Sequence, residues 1–103
     1  MIVVLTTVPD RALANTLADK LVHERLAACV QIMPQMTSVY FWEGDVQRDE
    51  EHLLLIKTRE DRYVEVENFI RENHTYDVPE IVALRPVRVS DEYRGWLDES
   101  LNR

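Results

Sequence analysis

Two glycines and one cysteine in 103 residues set the first bounds on this chain. Gly44 and Gly95 stand apart, so neither a Walker phosphate loop nor a GxGxxG dinucleotide fingerprint can be built. The single Cys29 excludes an intramolecular disulfide and any CxxC redox or zinc pair, which leaves packing to supply stability. No apolar run approaches the ~18 residues of a membrane span, and the start, MIVVLTTVPD, lacks the basic flank of a secretory signal. A cytoplasmic location with no membrane partner is therefore expected. Basic residues are also scarce. Twelve Lys and Arg against nineteen Asp and Glu give a formal charge of -7, which repels phosphate backbones and argues against nucleic acid. Ser, His and acidic residues all occur, but no spacing suggests a triad, so no enzyme activity is expected.

What is present reads as a single domain over residues 1–103. Met1 to Val8 is a short β-branched run suited to a strand buried on both faces. Asp10 is placed to cap a helix in which Leu13, Leu17 and Leu21 repeat at helical spacing to about Arg25. Strand character returns from Ala28 to Met33, breaks at Pro34 and resumes from Met36 to Trp42. Gly44-Asp45 offers a reversal. The acidic group Asp49-Glu50-Glu51, expected in solvent, then leads into the core run Leu53-Leu54-Leu55-Ile56. Thr58-Arg59-Glu60-Asp61 has the pattern of a capping box with Asp for Glu, ahead of a helix to about Asn73. A loop from His74 to Pro79, a strand from Ile81 to Leu84 and a helix capped by Ser90 complete the chain.

This order, βαββαβ plus a C-terminal helix, predicts an α+β, ferredoxin-like fold with helices on one face of an antiparallel sheet. An ideal strand from Val46 to Thr58 reaches about 40 Å at ~3.3 Å per residue, more than the ~35 Å diameter of a compact domain of this size. The long central hairpin therefore reads as an association element. The same fold carries RNA-recognition domains, but here the central strands, IVVL and LLLIK, lack stacking aromatics.

Metal ligands are scattered: His23, His52, His74 and Cys29 form no HxH, HxxxH or CxxC pair. Cys29 reads as a small core residue, and His23 and His52 as solvated. His74 differs, because it shares a loop with Tyr76, Asp77 and Glu80, and it is the one candidate for a divalent ion. Tyr40, Trp42, Lys57, Glu80, Tyr93 and Trp96 suit either interface packing or a pocket. Lys57, directly after LLLI, wants an acidic partner, for which Glu80 is the candidate.

Leu26-Ala27-Ala28-Cys29-Val30, Pro34, Ser38-Val39-Tyr40, Trp42-Glu43-Gly44, Leu54-Leu55-Ile56-Lys57-Thr58, His74, Tyr76, Val78-Pro79-Glu80-Ile81, Tyr93 and Trp96-Leu97, in this order, resemble the CutA divalent-cation-tolerance family over essentially the whole chain. The resemblance implies a ferredoxin-like homotrimer whose long hairpin strands pair between subunits, no required cofactor, and a link to tolerance of divalent metals such as copper. The copper ligands proposed for the family's bacterial prototype fall at positions that look like Thr6, Asn73 and His74 here, of which only His74 is a strong ligand. Thr75 stands where the family usually has proline, and Gln35 where it often has glycine. The reading is a non-enzymatic trimer linked to metal-ion tolerance. The alternative is a signalling or small-molecule-binding trimer, using inter-subunit clefts lined by Tyr40, Trp42, Lys57, Glu80 and Trp96.

Overall fold

The computed structural model describes residues 1–102. Five strands, β1 (Ile2–Val8), β2 (Cys29–Ile32), β3 (Met36–Trp42), β4 (Asp45–Thr58) and β5 (Val82–Leu84), alternate with helices α1 (Arg11–His23), α2 (Tyr63–Asn73) and α3 (Asp91–Leu101). A single 3-10 turn, Glu60–Arg62, leads into α2. The sheet runs β2-β4-β1-β5 with antiparallel pairing throughout, the ferredoxin-like order expected from the sequence.

Strand parity decides which residues see the helices, because successive side chains point to opposite faces. Ile2, Val4, Thr6 and Val8 oppose Thr58, Ile56, Leu54 and His52, and all eight are buried. Val30 and Ile32 lie opposite Ile56 and Leu54 and pack on the same core. Ala14, Leu17 and Leu21 of α1 and Val66 and Ile70 of α2 close this layer. The other face carries Val3, Leu5 and Thr7 against Lys57, Leu55 and Leu53, with Val82 and Leu84 alongside and largely exposed.

The 14 residues of β4 span about 46 Å at ~3.3 Å per residue, matching the 46 Å long axis of the chain. Its C-terminal half is the central strand of the sheet. Its N-terminal half, Asp45 to Glu51, pairs among the described residues with β3 alone and projects as a two-stranded arm. The arm turns at Glu43-Gly44, not at Gly44-Asp45: Glu43 and Gly44 have φ of 50° and 85°, the two positive values that a two-residue I′ turn requires, and Asp45 already pairs with Trp42.

Four other expectations change. Thr58 does not cap a helix; it is buried, and its hydroxyl donates to the Leu26 carbonyl at 2.7 Å, tying β4 to the segment after α1. Cys29 is half-buried rather than core, since the parity that turns Val30 and Ile32 inward leaves it on the opposite face beside Lys57. His52 is buried, with Nδ1 within 3.0 Å of the Met33 carbonyl. Glu51 is also buried, although Asp49 and Glu50 beside it are exposed.

α1 ends in a Schellman motif. The Arg25 and Leu26 amides donate to the Val22 and Leu21 carbonyls at 3.1 and 3.0 Å, with Arg25 at φ 61°. The expected N-caps of α1 and α3 hold: Asp10 Oδ1 accepts from the Leu13 amide at 2.8 Å, and Ser90 Oγ from the Tyr93 amide at 3.2 Å.

Candidate functional site

Where the arm leaves the sheet, the open face meets the loop after α2. The register pairs Ser38, Tyr40 and Trp42 with Asp49, Gln47 and Asp45, so these residues share a face with Glu51 and, further along β4, Leu53. Thr7, opposite Leu53, lies on that face as well. The loop Thr75–Glu80 rises beside them and closes a cleft of about 550 Å³, lined by Thr7, Tyr40, Trp42, Asp49, Glu51, Tyr76, Asp77 and Glu80 among others.

Two tyrosine–carboxylate pairs organise its floor. The Tyr40 hydroxyl donates to Asp49, and the Tyr76 hydroxyl donates to Glu51 Oε2 at 2.9 Å. Burial, then the hydrogen bond to Glu51 and the charges of Glu51 and Asp49, push the Tyr76 phenol well above its ordinary range. The Tyr40 phenol is also raised, chiefly by its hydrogen bond to Asp49.

His74 sits behind the cleft and fastens its loop. One ring nitrogen, Nε2, lies 2.7 Å from the Thr7 carbonyl, and the other, Nδ1, accepts the Tyr76 amide at 3.0 Å. A carbonyl can only accept and an amide can only donate, so the ring is neutral with its proton on Nε2. The His74 and Tyr76 rings also touch, with centroids 4.6 Å apart.

The positions singled out in the sequence fall into two groups. Tyr40, Trp42 and Glu80 come together in the cleft. Lys57 and Trp96 do not join them. Lys57 lies opposite Val3, four residues along β1 from Thr7, with its ammonium 5.4 Å from the Tyr93 ring centroid, and Trp96 stacks near Tyr93 at 5.5 Å. The expected Lys57–Glu80 ion pair is absent among the described residues, and an aromatic face takes the place of the carboxylate. Asp49, Glu51 and Tyr76 were not singled out as cleft residues. The signal for the first two was the period-2 spacing that places Asp49 and Glu51 on the Tyr40 face once the turn fixes the register.

Thr6, Asn73 and His74 do not form a ligand set for copper. The Thr6 side chain is sealed in the helix-side core, its hydroxyl unpaired among the described residues. The Asn73 amide donates to the Phe69 carbonyl at 2.8 Å, and both His74 nitrogens are engaged. Among the described residues no three His, Cys, Asp or Glu side chains converge as a metal site, and no helix is long and apolar enough to cross a membrane.

A family model described as CutA1 divalent ion tolerance protein matches residues 2–100. The chain belongs to the CutA1 family. It is 48% identical to the divalent-cation tolerance protein CutA of Thermus thermophilus over 98 residues, covering 95% of each chain. It is 50% identical to the chloroplastic protein CutA of Arabidopsis thaliana over 99 residues, covering 96% of this chain and 54% of that one; the chain thus spans about half the length of that plant relative. The Thermus thermophilus Cut A1 structure superposes with a TM-score of 0.93 over 97% of this chain and 98% of its own, and CutA1 from Oryza sativa, 46% identical, with 0.93 over 96% and 91%. The CutA1 fold is thus shared over the full sheet and all three helices, and the departures from expectation concern side chains rather than topology.

Proposed function

We propose that this CutA1 chain acts in the cytoplasm as a non-catalytic homotrimer, and that its part in divalent-cation tolerance involves weak, reversible contact with the ion rather than a preformed metal centre. The observation that carries the assembly is the arm. Phe41 and Val46 are 69% and 65% exposed on one of its faces and Trp42 is 56% exposed on the other, and among the described residues one edge of β4 from Asp45 to Glu51 has no strand beside it. Apolar surface of this extent beside a free strand edge favours pairing with another copy. The number three comes from the family resemblance. Sedimentation equilibrium at micromolar concentration is expected to give three times the chain mass, and a Phe41→Ser, Val46→Ser double substitution to give a monomer. A monomeric wild-type chain overturns the assembly.

For the ion, His74 and the carboxylates around it remain the proposed contact. A divalent cation such as copper would have to take Nδ1 from the Tyr76 amide, and losing that hydrogen bond costs about 1 kcal/mol, which keeps binding weak. Calorimetry with copper is expected to show heat that falls away in His74→Ala. Heat unchanged by the substitution removes His74 from the function.

A further inference from the structure

We propose that His52 and Glu50, two residues apart on one face of β4, bind a divalent transition-metal ion through His52 Nε2 and the Glu50 carboxylate, with water completing its shell. The inference rests on the reading that this chain contacts divalent ions, and adds to it a donor pair on the opposite face of the sheet from the cleft. His52 continues the buried row of Ile56 and Leu54 and lies opposite Val8, the last residue of β1. It is only 7% exposed, and its Nδ1 lies 3.0 Å from the Met33 carbonyl. A carbonyl can only accept, so the neutral ring carries its proton on Nδ1 and its lone pair on Nε2. Nε2 has no hydrogen-bond partner among the described residues, yet it is not sealed from solvent as the unpaired Thr6 hydroxyl is. A buried imidazole with one nitrogen fixed on a carbonyl and the other left open is the arrangement of a metal-ligating histidine.

The other histidines lack this arrangement. Both His74 nitrogens are engaged, so an ion must break a hydrogen bond there, whereas at His52 it breaks none. His23 is exposed in the last turn of α1, where burial does not fix its ring. Glu50 supplies the second donor. Residues two apart on a strand share a face and stand about 6.6 Å from each other, a gap that an imidazole and a glutamate span to reach one ion about 2 Å from each donor. Glu50 is exposed and makes no ion pair among the described residues. The Thr37 hydroxyl donates to its Oε1 at 3.0 Å from the facing position on β3, which steadies the carboxylate and leaves Oε2 for the ion. Imidazole with carboxylate suits copper(II) or zinc(II) better than magnesium or calcium, which take oxygen donors. No third His, Cys, Asp or Glu completes a cluster among the described residues, so the ion keeps its waters and stays exchangeable.

Long-range proton–nitrogen NMR of the intact protein, titrated with zinc chloride and, as a control, magnesium chloride, tests the inference by reading each imidazole nitrogen separately. Zinc is expected to shift His52 Nε2 saturably while Nδ1 keeps its proton, and magnesium to shift neither. Glu50→Gln, at an exposed position, is expected to weaken the His52 response at least ~10-fold, the scale on which loss of even a supporting hydrogen bond acts at a metal site. His52→Ala, where circular dichroism shows the fold intact, is expected to lower zinc affinity in calorimetry by at least as much. A His52 ring indifferent to zinc, a shift matched by magnesium, or a response that Glu50→Gln leaves unchanged overturns the inference. A shift confined to His74 also overturns it while supporting the contact proposed at that residue, and copper calorimetry on His74→Ala reads that contact independently.

Discussion

Replacing His74 with alanine separates a structural fastener from a metal ligand. The substitution removes two hydrogen bonds, one to the Thr7 carbonyl and one from the Tyr76 amide, together with the ring contact to Tyr76. Each neutral hydrogen bond contributes roughly 0.5–1.5 kcal/mol net, and a ring contact about 0.5 kcal/mol more. Because His74 is half-buried, water recovers part of the loss, so a cost of about 2 kcal/mol is reasonable. The cost should fall on the loop rather than on the whole domain, since Thr75, Asp77, Val78 and Glu80 are exposed and bury little. Hydrogen exchange reads this directly. A local loss of about 2 kcal/mol should speed exchange of the Tyr76 amide some ~30-fold, with the amides of β1 and β4 little changed. Tyr76 also holds Glu51, so the cleft should loosen with the loop. If Tyr76 exchange is unchanged while copper binding disappears, His74 is a ligand and not a fastener, and the reasoning from its two hydrogen bonds fails.

Two further outcomes follow from the same geometry. The raised Tyr76 phenol binds its proton more tightly in the folded chain, so its stabilising contribution is complete below the ordinary phenol range near ~10 and is lost as pH rises above it; in a spectrophotometric titration Tyr76 should ionise last, and Tyr76→Phe should remove that final component. Arg25 occupies the left-handed position of the Schellman motif, where a side chain is strained by about 1–2 kcal/mol relative to glycine; Arg25→Gly should raise stability to urea by about 1 kcal/mol once the greater freedom of glycine in the unfolded chain is deducted, and a loss of stability would show that the Arg25 side chain matters more than its backbone.

The cleft and the arm mark how far the residues alone could be read. Strand and helix periodicity in IVVL, LLLI and the leucines of α1 was enough for the ferredoxin-like order, because burial of one face imposes a local repeat on the sequence. The length of β4 was enough for an arm, because rise per residue is fixed. The Ser90 and Asp10 caps were equally legible, being local hydrogen bonds within three residues. Thr58 was not, since the same Thr pattern serves a cap or a core hydroxyl, and only the approach of the Leu26 carbonyl, 32 residues away, selects the second.

The site followed the same division. Tyr40, Trp42 and Glu80 were visible as residue types in need of an environment, but Glu51 and His52 looked like the end of a solvated acidic run. Their burial comes from what crosses over them: Tyr76 reaches Glu51 from the loop, and the Met33 carbonyl reaches His52. Lys57 was paired with Glu80 on charge alone, and the sheet register placed the two at different ends of the face. The sequence by itself determined the fold, the long hairpin and the family, all of which rest on repeats and spacings along the chain. The tertiary structure decided that His74 ties a loop down with both nitrogens, that Glu51 is buried beneath the Tyr76 hydroxyl, and that Tyr40 and Trp42 share its face, because each depends on groups brought together from distant segments.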